Sequence, residues 1–382
     1  MIKQYYKQAL AQLRQHPLIS IIGIVGTALS IFLIMLVVMM QQVKVAPFSP
    51  ESNRNRFLHV HYMSISHKDW GNGTSNGPMS VQTAREVYKS LKTPEAVTVY
   101  CCMTVSTPVS LPGAPAIGAD VRETDDTFFH VFDFQFTDGK PYDEATFTAG
   151  RPVAVITESI SRALFGSIQS VGKEFLLSHA PYRVVGVVKD VSTLADMAYG
   201  QVWIPFTSTN LSNDTWSDNH MGMMSVTLLA HDREDFDEIR AEAKRRMNEY
   251  NSILADQGYT LIDRNRPYDQ ETQSISFAAN LEPDLKAARR ERVIIFIILL
   301  LVPAINLSSM TQSRLRQRVA EIGVRRAFGS TCIEMVGQIV MENLVITLLA
   351  GAIGLLISIL FAYWGTDILF AQPYSVTLNA PT

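Results

Sequence analysis

Residues 314–329 read RLRQRVAEIGVRRAFG, a basic stretch wedged between two of the most apolar runs of the chain. At about 100° per residue, a helix here would place Arg314, Arg318, Glu321 and Arg325 in one narrow stripe. Leu315, Val319 and Ile322 would form a neighbouring stripe. The pattern predicts an amphipathic helix lying along a membrane, apolar side to lipid or to another helix and charged side to a protein. Glu321 precedes Arg325 by four residues, the order that favours a surface ion pair. Gly329 would end the helix as a C-cap. On composition alone, a basic juxtamembrane helix that merely fixes topology is an equal reading.

The flanking runs set the fold class. On one side VIIFIILLLVPAINLSSM (Val293 to Met310) is apolar enough to cross a bilayer, with Pro303 and Asn306 inside it. A bend at Pro303 is expected, tolerated because neighbouring helices can satisfy the freed carbonyl. On the other side LVITLLAGAIGLLISILFAYW (Leu344 to Trp364) is a second span, where Ala350, Gly351 and Gly354 would admit a close helix neighbour. Glycine is common in such helices, so lipid-facing filler is the plain alternative. Glu342 sits at the start of this span, where a buried acid is costly unless paired. Pairing with a basic residue is the favoured reading, ahead of a role in coupling. A third run, LISIIGIVGTALSIFLIMLVVMM (Leu18 to Met40), carries no charge and is long enough to span. Nothing after it resembles a signal-peptide cleavage site.

Lys3, Lys7 and Arg14 precede that first span and place the N-terminus in the cytoplasm. Arg314, Arg316, Arg318, Arg325 and Arg326 agree with this placement. Lys286, Arg289, Arg290 and Arg292 fall on the opposite side and conflict with it. They are read as part of a helix leaving the bilayer, with their long side chains reaching head groups. The resulting order is a cytoplasmic amphipathic segment (1–17), a first span (18–42) and a large outer domain (43–285). Then come a stalk and second span (286–310), the basic cytoplasmic helix (311–330), a third span with its lead-in (331–366) and an outer C-terminal segment (367–382).

Composition agrees. Apolar residues make up 47% and charged residues only 18%, so part of the chain avoids water. A net charge of −3 gives no support to nucleic-acid binding. Three cysteines cannot build a disulfide framework, and the adjacent Cys101 and Cys102 are read as one buried and one partly exposed thiol.

Residues 43–285 read as an α+β domain. Strands are expected at Arg56–Tyr62, Ala96–Val109, Met224–Leu229 and Tyr259–Ile262, and helices at Val81–Leu91 and Asp232–Tyr250. Two β-α-β units at the ends of the region suggest one lobe (about 43–113 and 207–285) closed around an inserted lobe (about 114–206). Within the insertion a short helix capped by Thr124 or Asp125 precedes a turn at Gly139. A strand at Val153–Ile156, a helix with Thr157 as N-cap and two strands around Ala180–Pro181 come next, and Gln201–Phe206 closes the lobe.

Chemistry is hard to find there. Gly166 to Glu174 (GSIQSVGKE) only superficially resembles a phosphate loop, because five residues separate its glycines and Glu follows the Lys. His59 and His61 would share a strand face at two-point metal spacing and His67 follows nearby, but no Cys or carboxylate stands at a convincing interval, and solvated or hydrogen-bonded histidines are the simpler reading. No metal site and no catalytic residue is assigned. The domain reads as a handle or chamber wall.

Particular residues do carry a family resemblance. Asp125-Asp126-x-Phe128-Phe129, Val153-Ala154-Val155-Ile156, Leu164-Phe165-Gly166, Val171-Gly172-Lys173, Val184-Val185-Gly186-Val187 and Val202-Trp203-Ile204-Pro205 resemble the periplasmic core of MacB-like ABC-transporter permeases. Glu321-Ile322-Gly323-Val324-Arg325-Arg326-Ala327-Phe328-Gly329 resembles the signature of FtsX-like permeases. Met341-Glu342-Asn343-Leu344 with Gly351 and Gly354 resembles the span on the C-terminal side of that signature.

The resemblance implies an α+β membrane protein with a two-lobed periplasmic domain between its first two spans. It makes Arg314, Arg318, Glu321, Gly323, Arg325, Arg326 and Gly329 an ATPase-coupling element. It further implies a permease subunit of a bacterial inner membrane, working as a homodimer or with a related permease. ATP and Mg would reside on a separate ATPase, because this sequence has no Walker A motif and the chain itself would bind no cofactor. A periplasmic adaptor or outer-membrane component and membrane lipid are further expected partners; nucleic acid is not. The family normally has four spans, and only three are visible in this sequence. A ligand sensor or a regulator of a cell-wall hydrolase is the alternative. A sensor would need an output domain that the short cytoplasmic stretch does not offer.

Overall fold

The structure, a computed structural model, describes residues 17–364, with side chains for residues 21–362. The expectations resting on Lys3, Lys7, Arg14 and residues 367–382 lie outside the described residues. The chain forms two compact units, one from Val43 to Leu285 and one from the apolar helices on either side.

The described residues open with helix α1 (Pro17–Gln42), and β1 (Phe57–Val60), β2 (Met63–His67), β3 (Thr74–Gly77), β4 (Ala96–Cys101), β5 (Val105–Ser110) and β6 (Ile117–Thr124) follow. Next come β7 (Phe136–Gly139), β8 (Val153–Thr157), α2 (Glu158–Phe165), β9 (Glu174–Leu177), β10 (Ala180–Val188) and β11 (Val202–Pro205). The domain ends with β12 (Met224–Leu229), α3 (Phe236–Leu254), β13 (Tyr259–Ile262) and β14 (Tyr268–Asp269). Helices α4 (Leu285–Gln317), α5 (Val319–Ala327) and α6 (Cys332–Trp364) are the last of the described elements.

Six strands close on themselves. β6 pairs with β11 in parallel, and the ring continues through β8, β10, β9 and β5 back to β6. Inward-facing Val121, Ala154, Ile156, Phe175, Leu177, Val184, Val202 and Ile204 fill its interior. β10 carries a bulge at Val185, so Val184 and Val187 both point inward despite their odd spacing. Gly139 (φ +67°) lets β7 lie against β10, since a Cβ there would stand 2.2 Å from the Val185 carbonyl oxygen.

The ladder then runs from β6 through β4, β12 and β1 to β14, and a separate sheet of β13, β2 and β3 lies in the same unit. α3 is amphipathic: Phe236, Ile239, Ala243, Met247, Tyr250 and Leu254 recur at three- and four-residue intervals and join the core beside β12 and β1. The barrel and this flanking sheet share one ladder, joined between β6 and β4 only at Tyr100 opposite Thr124.

Three expectations change here. The lobe border expected at 113/114 falls too late, because β5 pairs with β6 and β9 and so belongs to the barrel. Neither Thr124 nor Asp125 caps the short helix at Phe128–Val131; Thr127 occupies that position. Asp125 is instead buried, accepting from Thr98 Oγ1 (2.7 Å), Val99 N (3.0 Å) and Lys89 Nζ (2.5 Å). The turn between β9 and β10 is at Ser178–His179 (φ +48° and +70°) rather than Ala180–Pro181, the paired left-handed geometry of a two-residue hairpin.

The segment after α1 is bolted to the domain by a buried ion pair. Arg54 Nε donates to Glu51 Oε2 at 2.7 Å, Nη1 donates to the carbonyls of Val43 (2.7 Å) and Ala46 (3.1 Å), and Nη2 donates to Leu194 O (2.9 Å). Glu51 Oε1 in turn accepts from the amides of Met197 and Ala198, both at 2.9 Å. Every polar atom of the pair is used, which is what makes a dry ion pair tolerable.

His59 is fully buried on β1, with Nδ1 3.1 Å from Thr227 Oγ1 and Nε2 2.9 Å from Gln270 Oε1. His61 Nδ1 lies 3.2 Å from Ser225 Oγ. Among the described residues no three potential ligands cluster to hold a metal.

Burial lowers the His59 pKa from 6.5 to about 4. The folded state therefore favours the neutral ring, and its stability is intact above the unfolded value and lost as pH falls below it. Denaturant unfolding followed by near-UV circular dichroism should show a loss of about 2 kcal/mol between pH 7 and pH 5. His59→Gln should flatten that dependence.

Candidate functional site

Among the described residues, three helices are long and apolar enough to cross a membrane. α4 and α6 each have 33 residues, about 50 Å at 1.5 Å per residue, against a hydrocarbon core of about 30 Å. Both therefore extend beyond the apolar layer. α4 does so at its charged start, around Lys286 to Arg292, and α6 at its lead-in, Cys332 to Asn343. α4 stays helical through Pro303.

α1 packs against both of the others through small residues. A Cβ at Gly23 would collide with Met310 Sδ at 1.9 Å, and one at Gly26 with Asn306 Nδ2 at 2.5 Å. Gly354 is the tight point on α6, where a Cβ would stand 2.7 Å from Ala28 O. Gly351 is looser, at 3.9 Å from Ile31 Cδ1.

The basic stretch is not one helix. α4 runs on through Arg314 to Gln317, and α5 starts again at Val319. Arg318 breaks the pattern with φ −115° and ψ 15°. Arg314 thus ends a membrane helix, where a cation suits the carbonyl end of the dipole. Arg318 leaves the helical path because its guanidinium faces two acids at once. Nε donates to Glu321 Oε2 at 3.0 Å and Nη1 to Glu342 Oε2 at 3.3 Å.

The contacts close into a ring. Arg325 Nη2 meets Glu321 Oε1 at 2.5 Å, and its Nη1 donates to Gln338 Oε1 at 2.8 Å. Gln338 Nε2 donates to Glu342 Oε1 at 3.0 Å, returning to the carboxylate that holds Arg318. Gln338 and Glu342 are buried, while Glu321 is exposed. Hydrogen bonds from Arg318 hold the Glu321 carboxyl below the usual glutamate range. The ring ties the break at Arg318, α5 and the lead-in of α6 into one polar joint. Thr311 Oγ1 donates to Asn343 Oδ1 at 3.0 Å one turn away, adding a direct tie between α4 and α6.

Both ends of the turn after α5 are set by backbone chemistry. Gly329 (φ +89°) places its N–H on Arg326 O and the N–H of Ser330 on Arg325 O, both at 3.1 Å, the paired bonds of a Schellman C-cap. Thr331 and Glu334 cap each other reciprocally at the start of α6.

Of the residues expected to act here, Arg318, Glu321, Arg325 and Glu342 meet in the ring, and Gly329 forms the turn. Arg326 is exposed, and a Cβ at Gly323 would meet nothing within 4 Å. Sequence reasoning misses Gln338, whose only signal is its place one turn before Glu342. The Thr331–Glu334 cap is legible as T-x-x-E. Exposed Val319, Val324 and Phe328 give α5 an apolar outer surface, Phe328 being 88% exposed.

Among the described residues, an α+β domain thus follows the first of three helices long and apolar enough to cross a membrane, and a charge-locked turn joins the last two. A model of the MacB-like periplasmic core domain matches residues 18–246, and one of the FtsX-like permease C-terminal domain matches residues 293–382. The chain therefore belongs to the MacB/FtsX-like family of ABC transporter permeases.

It is similar to YknZ of Bacillus subtilis, described as an uncharacterized ABC transporter permease, with 21% identity over 62% of this chain and 55% of the relative. It is also similar to the macrolide export ATP-binding/permease protein MacB of Escherichia coli K12, with 22% identity over 65% of this chain and 36% of that protein. The chain thus spans about half of the first relative and a third of the second. Among solved structures, the extracellular domain of YknZ from Gram-positive bacteria covers 53% of this chain and all of its own at 14% identity and a TM-score of 0.38. The periplasmic region of MacB from Actinobacillus actinomycetemcomitans covers 53% of this chain and 88% of its own at 18% identity and a TM-score of 0.36. Those scores add nothing to the family match.

Arg318→Met should take away the guanidinium that bonds the Glu342 carboxylate and cost about 3 kcal/mol in unfolding of the detergent-solubilised protein. Adding Glu342→Gln should recover most of that loss, so a double-mutant cycle should give a coupling well above about 1 kcal/mol.

Proposed function

We propose that this chain is the membrane subunit of an ABC transporter in a bacterial inner membrane, with its N-terminus inside and residues 43–285 in the periplasm. ATP and Mg are bound by a separate ATPase chain, and two permease chains work together, identical or related. The reading rests chiefly on the polar joint around Arg318. α5 carries exposed Val319, Val324 and Phe328 outward and is fastened inward to α6 through Glu321, Arg325, Gln338 and Glu342.

A surface of that kind accepts a partner's push or pull and passes it to both membrane helices. α4 begins where the outer domain ends, at Leu285, and α1 ends where that domain begins. Movement of the helices therefore reaches the outer domain through the chain itself, a mechanical transmission without a channel. An antibiotic is the exported cargo that the macrolide-export relative suggests; a peptide or a lipoprotein, assisted by a periplasmic adaptor, belongs to the same proposal. Regulation of a cell-wall hydrolase or ligand sensing would use the same outer domain, and the exposed Val319, Val324 and Phe328 beside the joint support transport by offering an ATPase a docking surface.

The test is co-purification with an ATPase from the source cell. Arg325→Glu combined with Gly323→Trp, and separately Phe328→Asp, should lower ATPase association at least tenfold, about 1.4 kcal/mol. Thermal unfolding of the outer domain should stay unchanged. Full association and full stimulation of hydrolysis in both variants would remove the coupling role.

A further inference from the structure

Among the described residues, three arginines are buried in the Val43–Leu285 unit, and two of them use every nitrogen. Arg54 is engaged in the ion pair with Glu51. Arg122 donates from Nε to Tyr199 O (2.6 Å), from Nη1 to Cys101 O (3.0 Å) and from Nη2 to Asp196 O (3.0 Å). Arg266 differs: at 4% exposure it donates only from Nη2, to Ala279 O at 2.8 Å, and Nη1 has no acceptor. Tyr88 Oη is also buried without a partner, and the two groups are close enough to perturb each other's ionisation. A buried guanidinium with unused donors is costly unless something supplies an acceptor.

Arg266 borders a cleft of about 410 Å³ between α3 and residues 263–285. Two further cations line it, Arg240 and Lys244, one turn apart on the same face of α3. Two carboxylates line it as well, each held by a neighbour that also lines the cleft. Asp263 Oδ2 lies 3.6 Å from Lys244 Nζ, and Glu282 Oε2 accepts from Asn265 Nδ2 at 2.8 Å. Neither forms an ion pair with Arg266. Pro283 and Leu285 add an apolar wall. Arg264 and Asn265 both take left-handed backbone conformations (φ +48° and +58°), a local strain of the kind that persists where the surroundings fix it.

The geometry points to an oxyanion site: the cleft binds a small phosphate- or carboxylate-bearing ligand whose anionic oxygens accept from the Arg266 guanidinium and Lys244 Nζ. The volume lies in the range of small-molecule pockets and leaves room for a body beyond the anionic group. Residues 263–285 form one wall and continue directly into α4, so occupancy braces the root of a membrane helix. The site stands independently of the coupling role assigned to α5.

The test is titration calorimetry on the full chain in detergent with inorganic phosphate and with succinate, alongside native mass spectrometry with phosphatidylglycerol. Saturable binding of phosphate or succinate assigns a soluble ligand; binding of phosphatidylglycerol alone assigns a lipid head group. In either case Lys244→Met, at an exposed position that folding does not need, should weaken binding about tenfold, the loss of one charge-assisted hydrogen bond. Arg266→Met should abolish it, and Arg246→Met, on the same helix outside the cleft, should leave it unchanged. No saturable binding of any probe, or equal binding to wild type and Lys244→Met, overturns the proposal and leaves the cleft to water.

Discussion

The carboxylate of Glu342 is the constraint from which the membrane unit takes its form. An acid buried at the start of an apolar helix must find a cation, and the sequence offers arginines only in the preceding basic stretch. Reaching it takes Arg318 out of the helical path, and that departure separates α4 from α5. Once α5 is free to turn, Glu321 and Arg325 fall beside Gln338, and the ring closes. One costly charge thus dictates a break, a short helix and the direction of the next span. Val319 and Val324 are left exposed on α5, while Ile322 lies with the ring residues.

The same logic recurs in the outer domain with a different solution. Arg54 and Glu51 lie in the dry segment after α1, and backbone groups of Val43, Ala46, Leu194, Met197 and Ala198 absorb the remaining valences. A pair so completely bonded fixes geometry more than it adds stability. Arg122 needs no acid at all, since three carbonyls suffice. Against these two, the unfinished bonding of Arg266 stands out as a property of its cleft and not of buried arginines in this fold.

Legibility in the sequence depends on how local each cause is. The three apolar runs, the Thr157 cap, the strands at 224–229 and 259–262 and the helical stop at Gly329 depend on neighbours within a few residues. They can be read directly. The break at Arg318 cannot, because its cause lies 24 residues away in Glu342 and a 100° periodicity treats the stretch as uniform. The lobe border fails for a similar reason. β5 looks like a continuation of β4 in sequence, and only its pairing with the distant β9 moves it into the barrel. Asp125 resembles a helix cap because Asp before an apolar pair usually is one, but Lys89 and Thr98 claim its oxygens first.

The parallel pairing of β6 with β11 has a consequence for the domain's behaviour among its own copies. By closing six strands into a ring it removes the open edges that would otherwise template pairing with another molecule. Unpaired edges are left at the ends of the two ladders that remain open, on strands of two to four residues such as β14, β13 and β3. Strands that short make poor templates for growth. The ring thereby keeps the domain from recruiting its neighbours into aggregates.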